Sequence, residues 1–193
     1  PTLSLPDALP IYNCPLQYGE LTHPCASKGY SMPQHVRLAF LGLGQHAQVL
    51  AQAAQANPRI NIEACYSLLH NDSDTFAETF ACRPLRSLEA LCADPRVDAV
   101  VIATPNDLHA KQGISLAAAG KHIFVEKPIC NSIAECDALI EACQAAQVLL
   151  AVGHQERRNG VFRKIKSMID SGFIGKVHAF EANHCGNLIK HWG

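Results

Sequence analysis

From Val36 onward, short apolar runs alternate with stretches whose apolar positions recur every three or four residues. That alternation predicts βαβ units wound around a parallel sheet. Val36–Leu41 is predicted as a buried strand, followed by an Ala/Gln-rich helix over 46–56. Asn57-Pro58 ends that helix, because the residue before a proline is steered out of α geometry. Ile60–Tyr66 follows as a strand, 73–80 as a short helix and 83–85 as a minor strand. Ser87 is placed to cap a helix over 87–92. Residues 98–103 (D-A-V-V-I-A) form the clearest core strand. A helix over 108–119 closes on Gly120. His122–Val125 is predicted as a strand, 132–147 as a helix and 148–153 as a further strand.

The pattern is absent before this region and changes after it. Residues 1–31 carry prolines at 1, 6, 10, 15 and 24 and show neither period. The run Thr2-Leu3-Ser4-Leu5-Pro6-Asp7-Ala8-Leu9-Pro10-Ile11 resembles a translated sequencing adapter, so residues 1–31 are expected to be a non-domain extension, with Met32 as the start. After Gly153, apolar residues at 161, 162, 165, 168 and 169 predict a helix over 161–171, closed by Gly172. Residues 177–183 then predict a strand. The organisation expected is one α/β domain over 32–154 and the incomplete start of an α+β domain over 155–193, from a truncated reading frame. Phe173, Ile174, Val177, Phe180 and Leu188 would then lack packing partners.

Composition narrows the function classes. Of the 193 residues, 48% are apolar and 17% charged, a globular balance. A net charge of −1 gives no electrostatic case for nucleic acid or an anionic membrane. No run approaches the ~18 apolar residues of a membrane span. The nine cysteines lack paired C-x-x-C spacing and sit where small apolar residues would pack. They are read as reduced thiols of a cytoplasmic protein. Cys130, Cys136 and Cys143 lie on or beside one helix, with a spacing that suits packing. The histidines form no helical H-x-x-x-H pair, so no metal site is expected.

The chemistry-bearing segments fall at strand ends. Gly42-Leu43-Gly44-Gln45-His46-Ala47 joins a strand to a helix: Gly42 permits a tight turn, Gly44 lets a pyrophosphate approach the backbone, and small Ala47 permits close packing. The helix start offers N–H groups and a positive dipole end to phosphates. In NAD-specific folds an acidic residue ends the second strand. Ser67 stands at that position here, so a 2′-phosphate is not repelled. No Arg follows, leaving NAD and NADP both open with a slight lean to NADP. Ala103-Thr104-Pro105-Asn106-Asp107-Leu108-His109 and Glu126-Lys127-Pro128 follow the next two core strands, at the edge where open α/β sheets bind ligands.

Residues 35–193 resemble the Gfo/Idh/MocA oxidoreductase family. The matching motifs are G-L-G-Q-H-A at 42–47, A-T-P-N-D-L-H at 103–109, A-G-K-H-I-F-V-E-K-P at 119–128 and V-G-H-Q-E-R-R-N at 152–159. The resemblance implies a Rossmann doubly wound parallel sheet followed by an α+β substrate domain, in a homo-oligomeric full-length enzyme. It implies that the turn at Gly42, Leu43, Gly44, Gln45 and His46 holds the pyrophosphate. It places Ala103, Thr104, Pro105, Asn106 and His109 on the nicotinamide ribose side, with Glu126 and Lys127 reaching that ribose and the substrate hydroxyl. Gln155 and Arg157 would border the pocket. Lys127 is the catalytic candidate; the family's downstream Asp…His pair has no counterpart here. Two departures are Gly160 for a proline and Arg158 for an aromatic.

The activity implied is hydride transfer between NAD(P) and a hydroxyl or carbonyl carbon of a sugar, cyclitol or related polyol. An NAD-dependent glycoside hydrolase and a non-catalytic dinucleotide sensor share this fold, so the site must decide among them.

Overall fold

The computed structural model describes residues 35–183. Six strands, β1 Val36–Leu41, β2 Ile60–Tyr66, β3 Arg83–Pro84, β4 Ala99–Ile102, β5 His122–Val125 and β6 Leu150–Val152, form one sheet in the order β3-β2-β1-β4-β5-β6. All pairings are parallel. The helices are α1 Gln45–Gln55, α2 His70–Phe80, α3 Leu88–Ala93, α4 His109–Ala118, α5 Ile133–Ala145 and α6 Gly160–Asp170. This is the Rossmann doubly wound arrangement, in which the strand order reverses between β1 and β4 and opens a crevice at their carboxyl ends.

The strands read as unbroken apolar runs because both faces of the sheet are covered. Ala39, Phe40 and Leu41 are all buried, and successive residues enter different cores. Leu41 joins Leu91, Val100, Ile102, Leu116, Ile123 and Leu139 on one face. Phe40 joins Phe76, Phe80, Cys65 and Val101 on the other. There α1 buries Ala47, Ala51 and Ala54, a stripe of methyl groups at helical spacing that lets its backbone approach the sheet closely. Phe76 bridges Phe40 and Phe80, with ring centroids 5.4 and 4.5 Å away.

Local signals set several boundaries. The Ser87 hydroxyl accepts from Ala90 N–H at the start of α3. Ser132 and Glu135 form a reciprocal capping box at the start of α5. Elsewhere the structure departs from expectation. Helix α2 begins at His70 rather than 73, because its polar first turn carries no apolar period. Strand β6 covers only 150–152 of the expected 148–153. Val148 N–H donates to Cys143 O, and Leu149 N–H to His122 Nδ1, so neither N–H enters the ladder, although Leu149 O accepts from Ile123 N–H at 2.8 Å.

The strand expected over 177–183 is not formed: those residues are exposed coil, and no partner strand lies beside them among the described residues. A lone strand cannot pair its backbone groups, which removes the reason to extend. The expectations for residues 1–31 and for Leu188 lie outside the described residues. Among the described residues no helix is long and apolar enough to cross a membrane.

Candidate functional site

The segments singled out by sequence gather on one edge of the sheet, after β1, β2, β4, β5 and β6. Parallel strands make this automatic, since every strand delivers its following loop to the same side. The first loop is held tightly. Gly42 has φ +83°, and a Cβ there would lie 2.7 Å from Ala103 C and Thr104 N. The turn after β1 therefore packs on the loop after β4, and only glycine fits. Leu43 is buried and anchors the turn from beneath.

Gly44 is the opposite case: a Cβ there meets no protein atom within 4 Å. It is the N-cap of α1, with no side-chain cap and no acidic residue in the first turn. Helix starts leave N–H groups that need acceptors, and Ser87 and Ser132 supply them for α3 and α5. At α1 the sequence supplies none and leaves room above the backbone. Such a start suits an anion.

The loops after β4 and β5 are tied to each other. His109 is fully buried, with Nδ1 3.0 Å from Pro128 O and Nε2 2.9 Å from Thr104 O. Its ring faces inward, with each ring nitrogen within hydrogen-bonding distance of a backbone carbonyl, so it ties the two loops together. Thr104 Oγ1 donates to Gln112 Oε1 at 2.6 Å. Pro105 and Asn106 are exposed at the loop tip. The Lys127–Pro128 bond is cis.

Glu126 is buried, and its Oε2 accepts from Lys127 N–H at 3.1 Å. Its Oε1 lies 3.2 Å from His46 Nε2, on the first turn of α1. Lys127 is exposed and shares a cleft of about 340 Å³ with His154, Gln155, Glu156 and Arg157. Gln45 is exposed beside His46. Ser67 sits just past β2, donating its N–H to Ser73 Oγ at 3.0 Å and accepting from Leu69 N–H at 3.3 Å.

Three contacts were invisible in the sequence: the His46–Glu126 pair, the Thr104–Gln112 pair and the role of Gly153. A Cβ at Gly153 would lie 2.6 Å from Glu126 Oε1, so this glycine makes room for the carboxylate. Its position at the end of an apolar run was the one available signal. The six described cysteines are free. Burial pushes the Cys130 thiol up to about 12 and the Cys143 thiol to about 11, which keeps both protonated and inert.

Comparison with known proteins matches residues 36–154 to the Gfo/Idh/MocA oxidoreductase family, NAD-binding Rossmann fold. The chain belongs to this family. Among relatives, it is 33% identical over 142 residues to the inositol 2-dehydrogenase of Rhizobium meliloti (strain 1021), covering 74% of this chain and 43% of that protein. It is 32% identical over 143 residues to the 2,7-anhydro-N-acetylneuraminate hydratase of Escherichia coli (strain K12), covering 74% and 38%. Among solved structures, the WlbA dehydrogenase from Bordetella pertussis, in complex with NADH and UDP-GlcNAcA, aligns with a TM-score of 0.73 at 28% identity. That alignment covers 76% of this chain and 43% of that one. The chain spans about two-fifths of the length of the curated relatives it matches. For a Gfo/Idh/MocA protein, the open start of α1 is where a dinucleotide pyrophosphate fits the residues present.

Proposed function

We propose that this chain is the dinucleotide-holding part of an enzyme that moves a hydride between NAD(P) and a hydroxyl- or carbonyl-bearing carbon of a sugar, cyclitol or related polyol. The observation that carries the reading is the uncapped start of α1 under an open Gly44. Backbone groups of Gly42, Leu43, Gly44 and Gln45 would hold the pyrophosphate, and Ser67 the adenosine ribose. Because Ser67 carries no charge to repel a 2′-phosphate, NADP is slightly favoured. Ala103, Thr104, Pro105, Asn106 and Glu126 would line the nicotinamide ribose side, with Gln155 and Arg157 at the rim.

A bound nicotinamide supplies the carbon that gives or takes the hydride. Lys127 would hold the reacting oxygen by a hydrogen bond and relay its proton; it is exposed, lines the cleft and has no ion-pair partner among the described residues, which supports the reading. Residues 155–193 begin the substrate domain of a cytoplasmic homo-oligomer.

The hydratase relative favours a second reading, in which the hydride returns to the same molecule within each turnover, as in an NAD-dependent glycoside hydrolase. Net cofactor reduction during turnover separates the two. The test of both is calorimetric titration of the chain with NADPH and NADH. Absence of binding to either at millimolar concentration would refute the reading. In the full-length enzyme, Lys127→Ala should lower kcat by about 10²–10⁴-fold while nucleotide Kd stays within about twofold; unchanged turnover removes Lys127 from the chemistry.

A further inference from the structure

His46 and Glu126 stand on elements that are not neighbours. His46 opens α1, directly after β1, and Glu126 ends β5, while β4 lies between those strands in the sheet. Their contact therefore crosses the carboxyl end of β4, over the crevice where the strand order reverses. His46 is half exposed, so the fold does not require it for packing, whereas the Glu126 side chain is 9% exposed. Among the described residues His46 is the only ion-pair partner Glu126 has. The carboxylate also lies against the backbone of Gly153, where a Cβ would fall 2.6 Å from the same Oε1.

A carboxylate offers about four lone-pair positions. Here one on Oε1 faces His46 and one on Oε2 is taken by Lys127 N–H. Oε2 is held by that hydrogen bond and Oε1 is restrained by the imidazole beside it, and by count each retains acceptor capacity. A carboxylate held at two points accepts hydrogen bonds from a vicinal diol without first losing rotational freedom. Without His46, the carboxylate would keep one anchor and could turn about its terminal torsion.

We propose that His46 is a positioning residue: it fixes the Glu126 carboxylate so that its free lone pairs meet the hydroxyls of the ribose on the nicotinamide side. This rests on the dinucleotide reading above. The recognised chemistry is a terminal ribose diol, and fragments of the cofactor separate it from the pyrophosphate.

The test is calorimetric titration of the 193-residue chain with ADP-ribose, which carries that diol, and with ADP, which lacks it. If the unaltered chain prefers the 2′-phosphorylated forms, those are used instead. His46→Ala should weaken ADP-ribose about tenfold, the scale of one hydrogen bond to a charged group, and leave ADP within about twofold. His46→Gln, which keeps a donor near Nε2, should recover most of the loss. In a Glu126→Ala background, His46→Ala should have no further effect. Equal losses for ADP and ADP-ribose would overturn the proposal by putting His46 on the pyrophosphate. Unchanged ADP-ribose binding in His46→Ala would overturn it while leaving the dinucleotide reading intact. Failure of the unaltered chain to bind either fragment would overturn both.

Discussion

Replacing Gly44 with alanine puts a methyl group where no protein atom lies within 4 Å, on a backbone at φ −65° and ψ −178° that any residue adopts. The folding cost should be at most about 1 kcal/mol, the difference between Gly and Ala at an N-cap. Replacing Gly42 with alanine puts the same methyl 2.7 Å from two backbone atoms of the neighbouring loop, at φ +83°. The left-handed conformation costs about 1–2 kcal/mol, and relieving overlap with rigid backbone adds about 1–3 kcal/mol. Together that is about 2–5 kcal/mol, a large share of the ~5–15 kcal/mol that holds a domain folded. The two substitutions are chemically identical and two residues apart, so they make a matched pair. Urea unfolding followed by circular dichroism should rank Gly42→Ala far below Gly44→Ala. Nucleotide titration should rank them the other way among folded chains, with Gly44→Ala losing at least tenfold, about 1.4 kcal/mol. A Gly42→Ala chain that unfolds within about 1 kcal/mol of the unaltered chain, or a Gly44→Ala chain that binds nucleotide normally, would refute these roles.

His109→Ala should destabilise by about 3–5 kcal/mol in urea, since it opens a buried cavity and strands the carbonyls of Thr104 and Pro128; a loss below about 1 kcal/mol would contradict the linking role. Burial lowers the titration of His122 below its ordinary value near 6.5, so the unfolded chain takes up that proton first as pH falls. The His122 contribution is therefore complete above 6.5 and is lost as pH drops through the folded-state value, whereas hydrogen bonds from Arg37 hold Asp98 low and defer its loss to below the ordinary carboxylate value of 3.8. His122→Gln should flatten the dependence of the urea midpoint between about pH 7 and 5; an unchanged slope would exclude His122 as its source. Val161, Phe162 and Ile169 on α6, with Phe173 and Ile174 beyond it, expose apolar surface, so the chain should self-associate with concentration. Light scattering should report less association for the Phe162→Asp, Ile169→Asp pair, and no change would locate the association elsewhere.

Much of the fold was legible because a doubly covered parallel sheet writes its strands as apolar runs and its helices as amphipathic ones. Ala39-Phe40-Leu41 and Val100-Val101-Ile102 could hardly be anything else. What escaped was set by tertiary partners. The strand at 148–153 was shortened because His122 takes the Leu149 N–H, and 177–183 stayed coil because nothing described pairs with it. The site loops were legible as motifs, since glycines and prolines at strand ends advertise turns. Their internal division of labour was not. His109 belongs to a strand-end motif yet faces inward, because packing sets two carbonyls against its ring. Glu126 and His46 are far apart in the chain, and only the strand order brings them together.

The space that Gly153 leaves for Glu126 makes these two positions a single design variable. An oxygen atom occupies the volume that any side chain at 153 would claim, so the end of β6 can gain a methyl group only if the corner after β5 shortens, as in an Asp at 126. Such a paired exchange would conserve volume while withdrawing the carboxylate from His46. A side chain gained at 153 alone would displace the Glu126 carboxylate, which ties the chemistry of one loop to the smallest residue of another.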